Sequence, residues 1–199
     1  MLYANPKNPL RKIQHLGPAY VSSFSLLVQD LLRLTQYVQP ADANLDVYSH
    51  RIYELLLRAC TEWESLCKEV LQIWDPWTIG VRTNVTHYQS LIQRLGLEAS
   101  EVGLRFWSPA AKYVHPFMGC TIQKPTPVWY AAYNQVKHNR NAEFPQATVA
   151  NLCLAMAGLY ATMQGCYWIR ETETIPYRGP GLVEVAGRGW PFSTVHPTT

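Results

Sequence analysis

The sequence predicts an all-α fold, a bundle of about five helices with an irregular insertion and an extended C-terminal tail. The first observation behind this prediction is a long apolar stripe at helical spacing, formed by Ile52, Leu56, Ala59, Trp63, Leu66 and Val70. The second is the segment 144–169, which contains no charged residue and is typical of a central buried helix. The third is that proline and glycine concentrate elsewhere, between residues 97 and 125 and after residue 170.

These patterns divide the 199 residues into three parts. Residues 1–18 form an N-terminal arm, residues 19–170 form the helical body with its irregular insertion at about 97–125, and residues 171–199 form the extended tail. A body of this length can bury the core of one domain without disulfides or metals.

The first helix is predicted over residues 19–38. Pro18 stands where a first-turn proline is favoured, and Pro40 closes the segment. Four more helices are predicted, over residues 48–74, 85–95, 126–140 and 145–168. Thr126 is the expected N-cap of the fourth helix, with Pro127 at its first helical position. Residues 104–107 are expected to be a short strand or an extended loop, and residues 182–185 a short extended piece of the tail.

Composition excludes several classes of protein. A net charge of +3 is too small for a protein that coats nucleic acid, so any anion site must be local. The five cysteines are odd in number and lack paired spacing, which indicates reduced thiols. The first twelve residues contain no apolar stretch of signal-peptide length. The longest unbroken apolar run, 152–161, is too short for a bilayer. We therefore expect a cytoplasmic protein with no membrane contact.

The sequence spacing of the histidines, cysteines and glycines does not predict a metal or cofactor site. The six histidines are scattered, and none has the sequence spacing from another histidine or a cysteine that is typical of metal ligands. The glycines at 179 and 181 are not followed by a lysine and a helix, as a phosphate-binding loop requires. We expect neither a metal nor a cofactor.

The most informative stretch is residues 129–140, Trp-Tyr-Ala-Ala-Tyr-Asn-Gln-Val-Lys-His-Asn-Arg. On a helix, Asn134, Lys137 and His138 share one face, with Arg140 just beyond. An amide, a cation and an imidazole that converge in this way are suited to binding phosphate. The same residues would also complement the negative pole and the free carbonyls of an ordinary helix end. Both interpretations stay open at this point.

This stretch, followed by a long alanine-rich helix, resembles the C-terminal half of the HEPN family of domains (higher eukaryotes and prokaryotes nucleotide-binding). Residues 54–64 are similar to the charged helix that faces the motif in some bacterial members. The resemblance covers roughly residues 20–170, without the insertion. It implies a helical bundle, a composite site between two copies of the chain, and hence a homodimer.

In ribonuclease members of the family, an arginine precedes the motif histidine by four to six residues. His138 matches that histidine, and Asn134 matches the polar residue often found after the arginine. Tyr133 stands at the arginine position of the shortest spacing, so the motif arginine is absent. The resemblance therefore implies a non-catalytic module that binds a nucleotide or regulates a protein partner, in a setting of bacterial stress or phage defence.

The alternative that the resemblance implies is metal-independent cleavage of RNA. His138 would take the proton of the 2′-hydroxyl group, while a cation stabilises the charge that develops on the phosphate. Lys137, Arg140 or Arg58 would have to supply that cation. RNA binding is expected under this alternative as well.

A polar ladder on the second helix is predicted to face this site. Glu54, Arg58 and Glu62 follow one another at four-residue spacing. We expect at least one of them within salt-bridge reach of the lysine, histidine or arginine of residues 137–140, because a buried polar stripe needs partners.

The fifth helix has small residues at four-residue spacing, Ala157, Ala161 and Gly165. Such a row allows another helix to approach closely, either in the core of one chain or across a dimer.

Overall fold

The computed structural model describes residues 9–74, 85–121, 123–166 and 192–195, and it is predominantly helical. Within these residues the α-helices are α1 Pro9–Leu34, α2 His50–Trp74, α3 Val85–Arg94, α4 Val128–His138, α5 Arg140–Glu143 and α6 Val149–Gly165. The strands are β1 Glu101–Leu104, β2 Lys112–Val114 and β3 Phe192–Val195. The predicted helical bundle is confirmed, and a small sheet is added to it.

The centre of the bundle is α2, which packs against α1, α3, α4 and α6. Its Trp63 is fully buried, and the indole Nε1 donates a hydrogen bond of 3.0 Å to Thr162 Oγ1 on α6. The Thr162 hydroxyl in turn donates to the carbonyl oxygen of Gly158 at 2.8 Å. Each buried polar group of this contact thus has a partner, as the interior of a protein requires.

The charge-free segment forms α6, whose residues are buried on nearly every side. The small residues on α6 serve the core. Ala157 and Ala161 are buried, and a Cβ atom added at Gly158 would lie 2.8 Å from Cζ2 of Trp129. These small residues therefore allow close packing within the core of one chain, which was the first of the two predicted alternatives. No helix among the described residues is long and apolar enough to cross a membrane.

The start of the first helix was predicted wrongly. α1 begins at Pro9, so residues 9–18 of the predicted arm are helical and Pro18 lies inside the helix. The apolar spacing of Leu10, Ile13 and Leu16 continues the stripe of α1 towards the N-terminus. A proline removes one helical hydrogen bond, but the rest of a long packed helix can tolerate that loss.

The ends of the two C-terminal helices also differ from the prediction. α4 begins at Val128 after Pro127, so Thr126 is not its N-cap. α4 ends at His138, because Asn139 leaves the helical region with φ −139° and ψ 64°. The chain then forms the single turn α5 and a 3₁₀ turn at Phe144–Gln146. The N-cap of α6 is Thr148, whose hydroxyl accepts a hydrogen bond from the backbone N–H of Asn151.

The insertion and the tail together form an antiparallel sheet in the order β2-β1-β3. Val102 on the central strand pairs with Val114 on one side and with Thr194 on the other. Of the two alternatives for residues 104–107, the strand holds only at Leu104, where β1 ends, and residues 105–107 lie in the loop that follows it. The predicted extended piece at 182–185 lies outside the described residues.

The sheet is anchored to the bundle by Phe192 of β3, whose side chain is 1% exposed. Its ring centroid lies 5.8 Å from that of Phe24 on α1 and 5.6 Å from that of Tyr160 on α6. Phe106, just after β1, is 5.8 Å away. The C-terminal strand is thus part of the hydrophobic core.

Candidate functional site

The residues of the predicted motif lie where α4 and α5 pack against α2. Tyr130, near the start of α4, contacts Glu64 in the second half of α2, while Arg140 contacts His50 at the start of α2. The two helices therefore run antiparallel. On α2, the residues that meet them follow helical spacing, at positions 50, 53, 60 and 64.

Lys137 is held by Tyr133, one turn earlier on α4. Lys137 Nζ donates a hydrogen bond of 2.9 Å to the Tyr133 hydroxyl group and lies 4.9 Å from the centre of the same ring. Tyr133 is 2% exposed. The hydrogen bond to Tyr133 raises the pKa of Lys137, and the negative charge of Glu64 adds to the effect. Tyr133, at the motif-arginine position, thus fixes the lysine instead of supplying a charge.

Glu64 is the polar residue of this contact that the sequence analysis missed. Its Oε1 accepts a hydrogen bond of 2.5 Å from the Tyr130 hydroxyl group. Burial raises the pKa of Tyr130, and the hydrogen bond to Glu64 raises it further, so the phenol stays protonated and acts as a donor. The sequence contains a signal for this contact, because Glu64 is a charged residue on the same face of α2 as Tyr53 and Cys60.

Arg140 leaves α4 and forms the centre of an aromatic cluster. Its Nη2 lies 3.0 Å from His50 Nδ1, and its guanidinium carbon lies 5.0 Å from the ring centre of Tyr53 and 5.9 Å from that of Phe144. Because a guanidinium only donates hydrogen bonds, Nδ1 of His50 accepts, which requires the neutral ring with its proton on Nε2. We call His50, Tyr53, Arg140 and Phe144 the Arg140 corner.

The Arg140 corner is open to solvent on one side. His50 and Arg140 are exposed, while Tyr53 and Phe144 are half-buried. Tyr48 forms the rim of the corner, since its ring is 48% exposed and meets Phe144 edge to face at 5.7 Å. Ring faces and a cation are thus presented together at the surface.

The polar ladder of α2 does not take part in this site. Arg58 Nη1 donates to Asp30 on α1 at 2.5 Å, and Glu54 is bonded to Arg51 at 3.2 Å. Glu62 raises the pKa of Tyr20 on α1 by its charge, after burial and Glu69, so it also lies towards α1. Among the described residues, no ion pair joins Glu54, Arg58 or Glu62 to residues 137–140.

The predicted contact of the ladder with the motif is therefore wrong. The reason is the rotation of a helix, which is about 100° per residue. Four-residue spacing places Glu54, Arg58 and Glu62 on one face of α2, but that face is turned towards α1. The neighbouring face, with Tyr53 and Glu64, meets α4.

Asp30 on α1 forms ion pairs with the arginines on and near the face of α2 that is turned towards α1. Arg51 Nη2 lies 2.8 Å and Arg33 Nη1 3.3 Å from its carboxylate, in addition to Arg58. Burial alone would raise the pKa of Asp30, but the hydrogen bond from Arg58 and the charges of the three arginines lower it overall. We call Arg33, Arg51 and Arg58 the arginine triad.

His138 and Asn134 remain without a fixed partner in the part of the chain described. His138 is exposed, Asn134 is half-buried, and neither side chain makes a hydrogen bond to another described residue. Lys137 is bonded to Tyr133 and Arg140 to His50, so the three predicted catalytic groups are not directed at one point. Lys137 and His138 are at the exposed end of α4, and Arg140 begins α5.

Thiol and metal chemistry are not favoured either. All five cysteines are free and buried. Burial raises the pKa of Cys120 to about 11 and that of Cys153 to about 12, so these thiols stay protonated and are poor nucleophiles at neutral pH. Among the described residues, no group of three or more histidine, cysteine or acidic side chains is placed to hold a metal ion.

No protein-family model, curated protein or solved structure matches this chain. The HEPN resemblance, the homodimer and the defence setting therefore stay predictions.

Proposed function

We propose that the protein is a HEPN-like helical module that binds a nucleotide or RNA without cleaving it, and that the Arg140 corner is the binding site. The observation that carries this proposal is the combination, at one exposed place, of a guanidinium with the rings of Tyr53 and Phe144. A base can stack on such rings and on the guanidinium plane. Phosphate oxygens can accept hydrogen bonds from the N–H groups of the guanidinium.

The hydrogen-bonding capacity of Arg140 supports this role. A guanidinium has five N–H donors, and Arg140 gives one hydrogen bond, to His50, among the described side chains. The remaining donors are available to an anion at the surface. Lys137 and His138, both exposed at the end of α4, add a cation and an imidazole beside it.

The same contacts favour binding over catalysis. A general base acts together with a cation that stabilises the reacting phosphate, and both must reach the same group. Lys137 is bonded to buried Tyr133, and Arg140 to His50, while His138 is hydrogen-bonded to neither cation among the described residues. Cleavage of RNA by His138 remains the alternative, and it requires a rearrangement of at least one of these cations.

Titration of the protein with adenosine monophosphate, followed by NMR, tests the proposal. The variant Arg140→Gln removes the cation and keeps a planar polar group, and we expect its affinity to fall by about tenfold, as for the loss of a charged hydrogen bond. Arg94→Gln is the matched control, because Arg94 is exposed and lies over Trp74 at the other end of α2. Equal affinity of both variants and the wild type would contradict the proposal.

A further inference from the structure

The arginine triad forms a second cationic surface beside the Arg140 corner. The side chains of Arg33, Arg51 and Arg58 are 69%, 46% and 45% exposed. They pair directly with two carboxylates, those of Asp30 and Glu54, and Glu62 lies one turn beyond Arg58 on the same face of α2. Each guanidinium also has more N–H donors than these carboxylates can accept.

The triad and the Arg140 corner are joined by the first turns of α2. His50, which belongs to the corner, directly precedes Arg51, which belongs to the triad. Arg58 follows two turns later, and the eight residues from His50 to Arg58 correspond to about 12 Å along the helix axis. The two cationic clusters therefore border one continuous surface over the N-terminal half of α2.

We propose that a single-stranded nucleic acid crosses this surface, with a base at the Arg140 corner and its following phosphates on the arginine triad. This inference rests on the proposed function and narrows the ligand from a nucleotide or RNA to a single strand of nucleic acid. A fully stacked strand, with a rise of about 3.4 Å per nucleotide, would place at most three or four phosphates over 12 Å, and a strand with unstacked bases places fewer. We expect a mononucleotide bound at the corner to contact Arg58 less than a longer strand does, because Arg58 lies eight residues after His50 on α2.

A single strand fits this surface better than a duplex or an acidic peptide. The ring faces of Tyr48, Tyr53 and Phe144 suit bases that are free to leave their own stack. The carboxylates of an acidic peptide would pair with the arginines but would not stack on the aromatic rings. Glu54 lies on the path with 57% of its side chain exposed, and its ion pair with Arg51 lowers its repulsion of a phosphate.

The test compares adenosine monophosphate with a labelled ten-nucleotide oligoadenylate RNA, using wild-type protein, the double variant Arg33→Gln/Arg58→Gln and the control Arg94→Gln. We expect the double variant to bind the decamer about tenfold more weakly and to bind the mononucleotide as the wild type does. The dependence of decamer affinity on salt should also decrease, by about 1.4 in the slope of log K against log salt, since each phosphate contact of a single strand contributes about 0.7.

Two results would overturn the inference and leave the proposed function intact. One is a wild-type protein that binds the decamer no more tightly than the mononucleotide. The other is a double variant with wild-type affinity and salt dependence. If wild-type protein binds neither ligand, the proposed function fails as well.

Arg58 also pairs with Asp30, so thermal unfolding of each variant is needed to separate a loss of binding from a loss of folding. Arg33→Gln alone perturbs the fold less, because its side chain is the most exposed of the three and its contact with Asp30 is the longest, at 3.3 Å. It should weaken decamer binding by about threefold and lower the salt slope by about 0.7. An unchanged slope in this variant would contradict the inference.

Discussion

Tyr133 shows how a single residue changes the meaning of a motif. The HEPN resemblance places it at the position of the motif arginine, and the fold adds that its hydroxyl group accepts a hydrogen bond from Lys137 at 2.9 Å. The lysine is therefore fixed to the helix by a buried tyrosine. His138, one residue later, receives no comparable support among the described residues. At this scale the contacts hold the charge of Lys137 in place, and the proposal of binding without cleavage rests on them.

The Tyr133–Lys137 contact predicts the effect of Tyr133→Phe. Loss of the acceptor should lower the free energy of unfolding by about 1 kcal/mol at neutral pH. Because the folded-state pKa of Lys137 is raised, its contribution is present below the ordinary lysine pKa of about 10.4 and is lost as pH rises through the folded-state value. Urea unfolding of Tyr133→Phe, Lys137→Met and the double variant measures the coupling. Fully additive losses would show that the contact contributes nothing.

At the scale of elements, periodicity predicted which residues share a face but not which neighbour that face meets. α2 and α3 begin and end within about two residues of their predicted limits, because their apolar spacing is regular. The ladder of Glu54, Arg58 and Glu62 was also recognised correctly as one face of a helix. Its partner is α1 and not α4, and such a choice depends on tertiary packing that spacing does not encode.

Strand β3 illustrates a second limit of the sequence. It pairs with β1, about 90 residues earlier in the chain, and no local pattern in a segment rich in proline and glycine specifies such a partner. The turn α5 is a similar case. Arg140 was placed on the motif helix, but Asn139 ends that helix and turns Arg140 towards His50. The candidate site could therefore be predicted by its residues but not by their contacts.

The pairing of α1 with α2 through Asp30 predicts a response to acid. The pKa of Asp30 is lowered in the folded protein, so its contribution to stability is present above the unfolded-state pKa of about 3.9 and is lost as pH falls through the folded-state value. Wild-type protein should thus lose stability more steeply below about pH 4 than Asp30→Asn does. Thermal unfolding between pH 6 and pH 2 measures the difference. Parallel curves would mean that the arginines do not stabilise the carboxylate.

At the scale of the whole molecule, strand β3 and the bundle share a single core. The ring of Phe192 is buried between α1, α6 and the residue after β1, far from its place in the sequence. Removal of such a ring leaves a cavity as well as lost apolar contact. We therefore expect Phe192→Ala to lower the free energy of unfolding by about 3–5 kcal/mol. Tyr37→Ala is the control, because that aromatic is 85% exposed and should change stability by no more than about 0.5 kcal/mol.

A similar loss in both variants, or none in Phe192→Ala, would contradict the docking of β3 against the bundle. Denaturant unfolding at a fixed protein concentration gives both values.

Binding without cleavage at the Arg140 corner is tested most directly by one experiment. End-labelled single-stranded RNA is incubated with chelator and with wild-type protein, Arg140→Gln or His138→Ala, and each sample is divided between a binding gel and a denaturing gel. We expect the wild type and His138→Ala to retain the RNA on the binding gel, Arg140→Gln to retain about tenfold less, and all RNA to stay intact. Fragments that appear with the wild type and disappear with His138→Ala would contradict binding without cleavage.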